Sequence, residues 1–278
     1  MKKPSLKQRT ALRVLRSGFR SGSAVLPSFT AERAVRYFIT PERLPRPGWE
    51  NEILESAKCW KLKNGLAAYT WGSGPKVLLI HGWDGRGTQM GRIAASIAAA
   101  GFEATAIDLP AHGESPGDFT HVVEAKNFIL STGEELGSVR AVIAHSFGAC
   151  ATIYALHEGL RAERMIDLAG ANRFTGIFDR YLDFIHVRGK AREIFRQKLE
   201  NLVGLDADEN FAAVWASHLS QPALIIHDRD DQDAPFADGE EIHAAWKGSR
   251  LFSTKGLGHR RILKSREVLE QILNFIAN

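Results

Sequence analysis

Apolar residues recur along this chain at two periods. The short runs Val77 to Ile80, Glu103 to Ile107, Val139 to Ala144, Arg164 to Ala169 and Ala223 to His227 read as strands, and Val77-Leu78-Leu79-Ile80 is continuously apolar, as in a strand covered on both faces. Longer stretches between and after them space their apolar residues as helices do: Thr88 to Ala100, Val122 to Leu136, Phe147 to Glu158, Asp238 to Trp246 and Ile262 to Ile276. Arg250 to Thr254 reads as a last strand. Strands alternating with helices predict an α/β fold, a mostly parallel sheet with helices on both faces. Ahead of the alternation, Cys59 to Lys63, Asn64-Gly65 and Leu66 to Trp71 read as a hairpin, with Asn-Gly as a two-residue turn at positive φ.

The alternation pauses between Ala171 and Gln221. That stretch carries Ile177, Phe178, Tyr181, Leu182, Phe184 and Ile185, then Ile194 to Leu205 and Phe211 to Leu219, with no strand pattern. It reads as a small helical cap inserted into the sheet domain and expected to cover the sheet's carboxyl edge. The predicted organisation is therefore a basic N-terminal arm with a short helix over 1–57, a core over 58–170 and 222–278, and a cap over 171–221. Within the arm, Thr30 can cap a helix from Ala31 to Ile39, which Pro41 stops, and Pro45 and Pro47 make a stiff linker.

Charge sharpens the division. Residues 1–50 hold 11 Lys and Arg against 3 Asp and Glu, whereas the remainder holds 25 against 29, so the net +4 is an arm of +8 on a body of −4. An acidic body argues against a nucleic-acid partner. Residues 1–26 contain Lys2, Lys3, Lys7, Arg9, Arg13, Arg16 and Arg20 and no acid, while Leu12, Leu15 and Phe19 fall at helical spacing. Three readings stay open for this segment: an arm packed on the body, a peripheral membrane-surface helix, or an organelle transit peptide. A secretory signal is excluded because Arg13 and Arg16 interrupt any apolar stretch. No apolar run approaches the roughly 20 residues of a membrane span. Cys59 and Cys150 are too few for a disulfide framework and fit a reducing, cytoplasmic compartment.

Open parallel sheets place their sites at the carboxyl ends of strands, and four groups fall there: His81-Gly82-Trp83, Ser146, the acids after His227, and His259. Ala144-His145-Ser146-Phe147-Gly148 joins a strand to a helix through small residues two before and two after the serine, the setting of a nucleophile elbow. The plainer alternative is a serine that caps the following helix. A serine hydroxyl needs a base to take its proton, and the base needs a carboxylate to fix its tautomer. His259 is placed to be that base; Asp228, Asp230, Asp231 and Asp233 all lie where the carboxylate is needed, and composition cannot choose among them. His157-Glu158 lacks a second histidine at zinc-binding spacing, and Gly72-Ser73-Gly74-Pro75 lacks the lysine of a phosphate loop, so neither a metal nor another cofactor is implied.

Five stretches in order resemble the α/β-hydrolases over about Lys58 to Ala277: His81-Gly82-Trp83, Asp108 to Ser115, the Ser146 elbow, His227 to Pro235, and Gly256-Leu257-Gly258-His259. The likeness extends to bacterial members of unassigned substrate that share the Ala-His-Ser-Phe-Gly elbow and a Gly-Leu-Gly-His-Arg-Arg segment. Ala144, where glycine is usual, is a departure. The resemblance implies a serine hydrolase that cleaves a carboxylic ester or related small acyl compound through Ser146, His259 and Asp231, with the backbone N–H groups of Trp83 and Phe147 as oxyanion hole. Asp231 is the acid it selects, four residues past His227 and four before Pro235, with Asp233 as the alternative. An acyltransferase, thioesterase or lyase on the same fold stays open, as does a hydrolase-fold binding protein with little turnover.

Overall fold

The computed structural model describes residues 6–278; Lys2 and Lys3 of the basic arm lie outside the described residues. The chain forms two compact units, one of residues up to Thr40 with Arg173–Glu209, the other of Pro41–Asn172 with Asn210–Asn278.

The larger unit is built on one sheet, in which the apolar runs pair side by side. Its strands are β1 (Lys58–Lys61), β2 (Ala67–Trp71), β3 (Lys76–Ile80), β4 (Glu103–Ile107), β5 (Ala141–His145), β6 (Met165–Leu168), β7 (Ala223–Asp228) and β8 (Ser249–Thr254). Their order across the sheet is β1-β2-β4-β3-β5-β6-β7-β8. Strands β1 and β2 are antiparallel to their neighbours and β3 to β8 are parallel. Val77, Leu78, Leu79 and Ile80 are all fully buried, which explains their unbroken apolarity: both sheet faces are covered. Leu79, Ile143, Ile166 and Ile226 pack on one face with α4 (Gly91–Ala99) and α12 (Arg266–Ala277). The opposite face takes α5 (Val122–Leu136), α6 (Phe147–His157) and α10 (Phe236–Ala245): Gly148 lies against Ile80 and Gly239 against His227. Two short helices, α9 (Ala212–Ala216) and α11 (Gly258–Arg261), complete this unit with α3 (Gly48–Glu55). From β3 the chain winds outward to β4 and then returns to β5 on the other side of β3. That reversal opens a crevice at the carboxyl ends of β3 and β5.

The smaller unit joins both ends of a long stretch of sequence. Helices α1 (Leu6–Val25) and α2 (Pro27–Ile39) pack with α7 (Phe174–Phe184) and α8 (Lys190–Val203). Phe38 sits edge-on to Phe178, Tyr181 and Phe195, with centroids at 5.6, 4.9 and 5.6 Å, and Tyr181 donates to the carbonyl of Ala34 at 2.9 Å. Phe19, Val35, Ile39, Leu182 and Leu199 share this core.

Several local expectations differ from the structure. Helix α2 begins at Pro27, not at a Thr30 cap; proline is favoured there because its missing N–H has no partner in a first turn anyway. The hairpin turn is a three-residue loop: Gly65 N–H donates to the carbonyl of Leu62, Leu62 N–H donates to that of Leu66, and of Asn64 and Gly65 only Gly65 has positive φ. The proline-rich linker leads into α3, whose buried Glu50 accepts from Thr88 Oγ1 at 2.6 Å and pairs with Arg86 at 3.4 Å. Within the expected cap stretch, α9 belongs to the larger unit and the segment Arg173–Glu209 to the smaller one.

Candidate active site

Ser146 stands between β5 and α6 at φ 54°, ψ −121°, a left-handed backbone that a non-glycine residue holds only when its surroundings impose it. The close packing does so here. A Cβ at Gly148 would fall 2.2 Å from the carbonyl oxygen of His81, and one at Gly82 would fall 3.0 Å from Ser146 Cβ. Both positions therefore exclude side chains. Ala144 keeps its methyl buried in β5, between Ile80 and Asp167.

Ser146, His259 and Asp231 form one hydrogen-bonded chain. His259 Nε2 lies 2.8 Å from Ser146 Oγ, and Nδ1 lies 2.7 Å from Asp231 Oδ2. Nδ1 can only donate to a carboxylate, which leaves Nε2 as the acceptor for the serine proton. Asp231 Oδ1 accepts the N–H groups of Asp233 at 2.8 Å and Ala234 at 3.0 Å. Burial pushes the Asp231 carboxyl up, but the hydrogen bond and charge of His259 and the two amides outweigh it and hold the group below the ordinary carboxylate range. Asp233 reaches the site through its amide, and its side chain is exposed. Asp228 is buried and holds the approach to His259 by accepting Thr254 Oγ1 at 2.7 Å and Leu257 N–H at 2.9 Å.

The N–H groups of Trp83 and Phe147 have no acceptor among the described residues. Phe147 opens α6, where the helix dipole adds positive potential. Their rings pack edge to face with centroids 5.1 Å apart, and His112 closes on Trp83 from another side at 5.3 Å. Sheet, turn and aromatic packing thus bring a hydroxyl, a base and two free amides to one strand-end crevice, an arrangement able to attack an acyl carbon and stabilise the resulting oxyanion.

A family model for the alpha/beta hydrolase family matches residues 77–271. The chain belongs to the alpha/beta hydrolase family. Solved structures agree on the fold. An esterase of Pyrococcus furiosus superposes with a TM-score of 0.66 at 17% identity, over 86% of this chain and 98% of its own. An esterase of Exiguobacterium antarcticum gives 0.60 at 16%, over 80% and 99%. A meta-cleavage product hydrolase of Pseudomonas fluorescens gives 0.61 at 19%, over 81% and 100%. No curated protein matches the sequence.

In this alpha/beta hydrolase, sequence reasoning passed over two histidines that hold the site. Buried His145 donates from Nε2 to the backbone carbonyl of His259 at 2.9 Å. Burial and the neighbouring His259 push its pKa down to about 3, so it stays a neutral donor. His227 bonds the carbonyl of Ala234 at 3.0 Å from Nε2, fixing the loop that carries Asp231. Both lie at strand ends beside the candidate residues, and that adjacency was the available signal. The Asp108 loop is a structural clamp. Asp108 accepts Gly87 N–H, Glu114 N–H and Tyr69 O–H at 2.6, 2.7 and 2.8 Å, and the Arg43 guanidinium donates to the carbonyls of Ala111, Gly113, Ser115 and Gly117. Outside the site, His243 Nδ1 bonds Ser249 Oγ at 2.7 Å. Among the described residues no group of three or more His, Cys, Asp or Glu is arranged to hold a metal ion.

Proposed function

We propose that the protein hydrolyses a carboxylic ester or related small acyl compound, with Ser146 as nucleophile. The observation that carries this reading is the continuous chain from Ser146 Oγ through His259 to Asp231, at 2.8 and 2.7 Å. The esterase names of similar structures support it.

Ser146 Oγ attacks the acyl carbon as His259 Nε2 takes its proton. The carbonyl oxygen becomes an oxyanion and accepts the N–H groups of Trp83 and Phe147. Asp231 keeps the imidazole in the accepting tautomer and offsets the imidazolium charge. Collapse breaks the bond to the leaving alkoxide, which His259 protonates as it departs. Water then attacks the acyl-serine, giving its proton to Nε2, and the second collapse releases the acid and returns the proton to Ser146 Oγ. The same steps serve a thioester, or transfer if an alcohol replaces water.

A fluorophosphonate probe tests the nucleophile, and purified protein assayed against p-nitrophenyl esters of graded acyl length tests the reaction. Labelling and turnover that both vanish in Ser146→Ala are expected. Equal labelling of wild type and variant would remove Ser146 from the mechanism, and labelling without turnover of any ester or thioester would favour a binding protein.

A further inference from the structure

The first two helices meet at a corner that leaves large apolar side chains in solvent. Val25, Leu26 and Phe29 are 76%, 58% and 62% exposed, three of five consecutive positions. The corner is tightly built: Leu26 N–H donates to the carbonyl of Gly22 at 2.8 Å, and Gly22 approaches Thr30 so closely that a Cβ would meet its hydroxyl at 2.6 Å. The protrusion is therefore a fixed wedge.

Cations stand behind it on both helices. On α2, Arg33 and Arg36 follow Phe29 by four and seven residues and so share its exposed face. On α1, Arg9, Arg13, Arg16 and Arg20 form one stripe at spacings of four, three and four. Arg16 is engaged with the carbonyl and ring of Phe184. Arg9, Arg13, Arg20 and Arg36 have no acidic partner among the described residues, and the first acid in the chain is Glu32, paired with Lys198. Arg20, Arg33 and Arg36 sit about 6–10 Å along the helices from the apolar tip, at 1.5 Å per residue. That distance matches the depth, roughly 5–10 Å, to which an interfacial apolar face sinks below lipid headgroups.

We propose that this corner docks the protein on an anionic lipid bilayer: Val25, Leu26 and Phe29 enter the acyl region while Arg20, Arg33 and Arg36 meet headgroup phosphates and the α1 stripe adds long-range attraction. Apolar tip and set-back cations together select a lipid surface over an acidic polymer, which would use the arginines and leave the tip wet. The docking is independent of the chemistry at Ser146.

Co-sedimentation of the full chain with phosphatidylcholine vesicles, with and without 30 mol% phosphatidylglycerol (about that fraction is enough to give a negative surface potential), tests it. Wild type should bind the anionic vesicles and lose binding as salt screens the attraction. Arg20→Gln with Arg33→Gln and Arg36→Gln should weaken binding on the order of a hundredfold. Leu26→Ser with Phe29→Ser should weaken it about tenfold or more, whereas Phe29→Leu should keep it. All these side chains are exposed, and circular dichroism checks that each variant is folded. Equal binding to neutral vesicles, indifference to the serine pair, or binding of heparin without binding of vesicles would overturn the proposal.

Discussion

At the residue scale, the site depends on which carboxylate faces His259. Four aspartates within six positions end or follow the same strand, and the structure separates their settings. Asp231 faces the imidazole, Asp228 pins the loop before it, and Asp230 and Asp233 are exposed. Asp231→Asn should therefore cut kcat for the best ester by roughly 10³ to 10⁴ with the fold retained by circular dichroism. Asp233→Asn, which keeps the amide donated to Asp231, should cost about tenfold or less, as outer partners do. A reversed order in steady-state kinetics would move the acid to Asp233. The strand-end positions of Ser146 and His259 were legible because strand ends follow from the apolar pattern of the chain itself, whereas Asp231, which the structure sets against His259, was singled out from its neighbours only by the family resemblance. The supporting roles of His145 and His227 were not legible, since each bonds a backbone carbonyl whose position depends on packing.

At the element scale, close approach governs what the site tolerates. Gly148→Ala would place a methyl 2.2 Å from a backbone carbonyl, so β3 or α6 must shift; fluorophosphonate labelling and thermal midpoint should both fall. Arg43→Ala should destabilise the loop after β4 by about 3 kcal/mol, since four carbonyls lose a charged donor, although water can reach some of them. Chemical denaturation would read it. Helix α1 is structural as well as basic: Phe19 is buried with α2, α7 and α8, and Phe19→Ala should cost about 3 kcal/mol in the same measurement. Helix α3 escaped the sequence reading because its prolines suggest a linker and its anchor is one carboxylate, Glu50, bound to Thr88 and Arg86 some 38 and 36 residues away.

At the scale of the whole molecule, pH acts through buried acids of opposite sign. The depressed pKa values of Asp228 and Asp231 add stability above the ordinary carboxylate range, lost as pH falls through their folded values. Asp167 is the reverse. Burial, aided by the charge of Asp238 and opposed by Gly170 N–H, raises it to about 7, and its Oδ2 has no hydrogen-bond partner. Between about pH 4 and 7 the unfolded chain releases this proton and the folded one keeps it, so stability drains as pH rises and then levels off. The thermal midpoint of Asp167→Asn relative to wild type should climb over that range and stay flat above it; a constant difference would mean that Asp167 is charged when folded. The sequence by itself determined the alternation of strands and helices and the tight strand-to-helix turn at Ser146, because apolar period and turn chemistry are local. Only the tertiary structure decided that β3 lies between β4 and β5 and that β5 to β8 follow side by side, so that Ser146 after β5 and His259 after β8, 113 positions apart, meet in one hydrogen bond. It alone also decided that α1 and α2 share a core with the 173–209 segment. Strand order and helix partners are settled by the competition of many apolar faces for one another, a long-range burial energy that no stretch of sequence displays on its own.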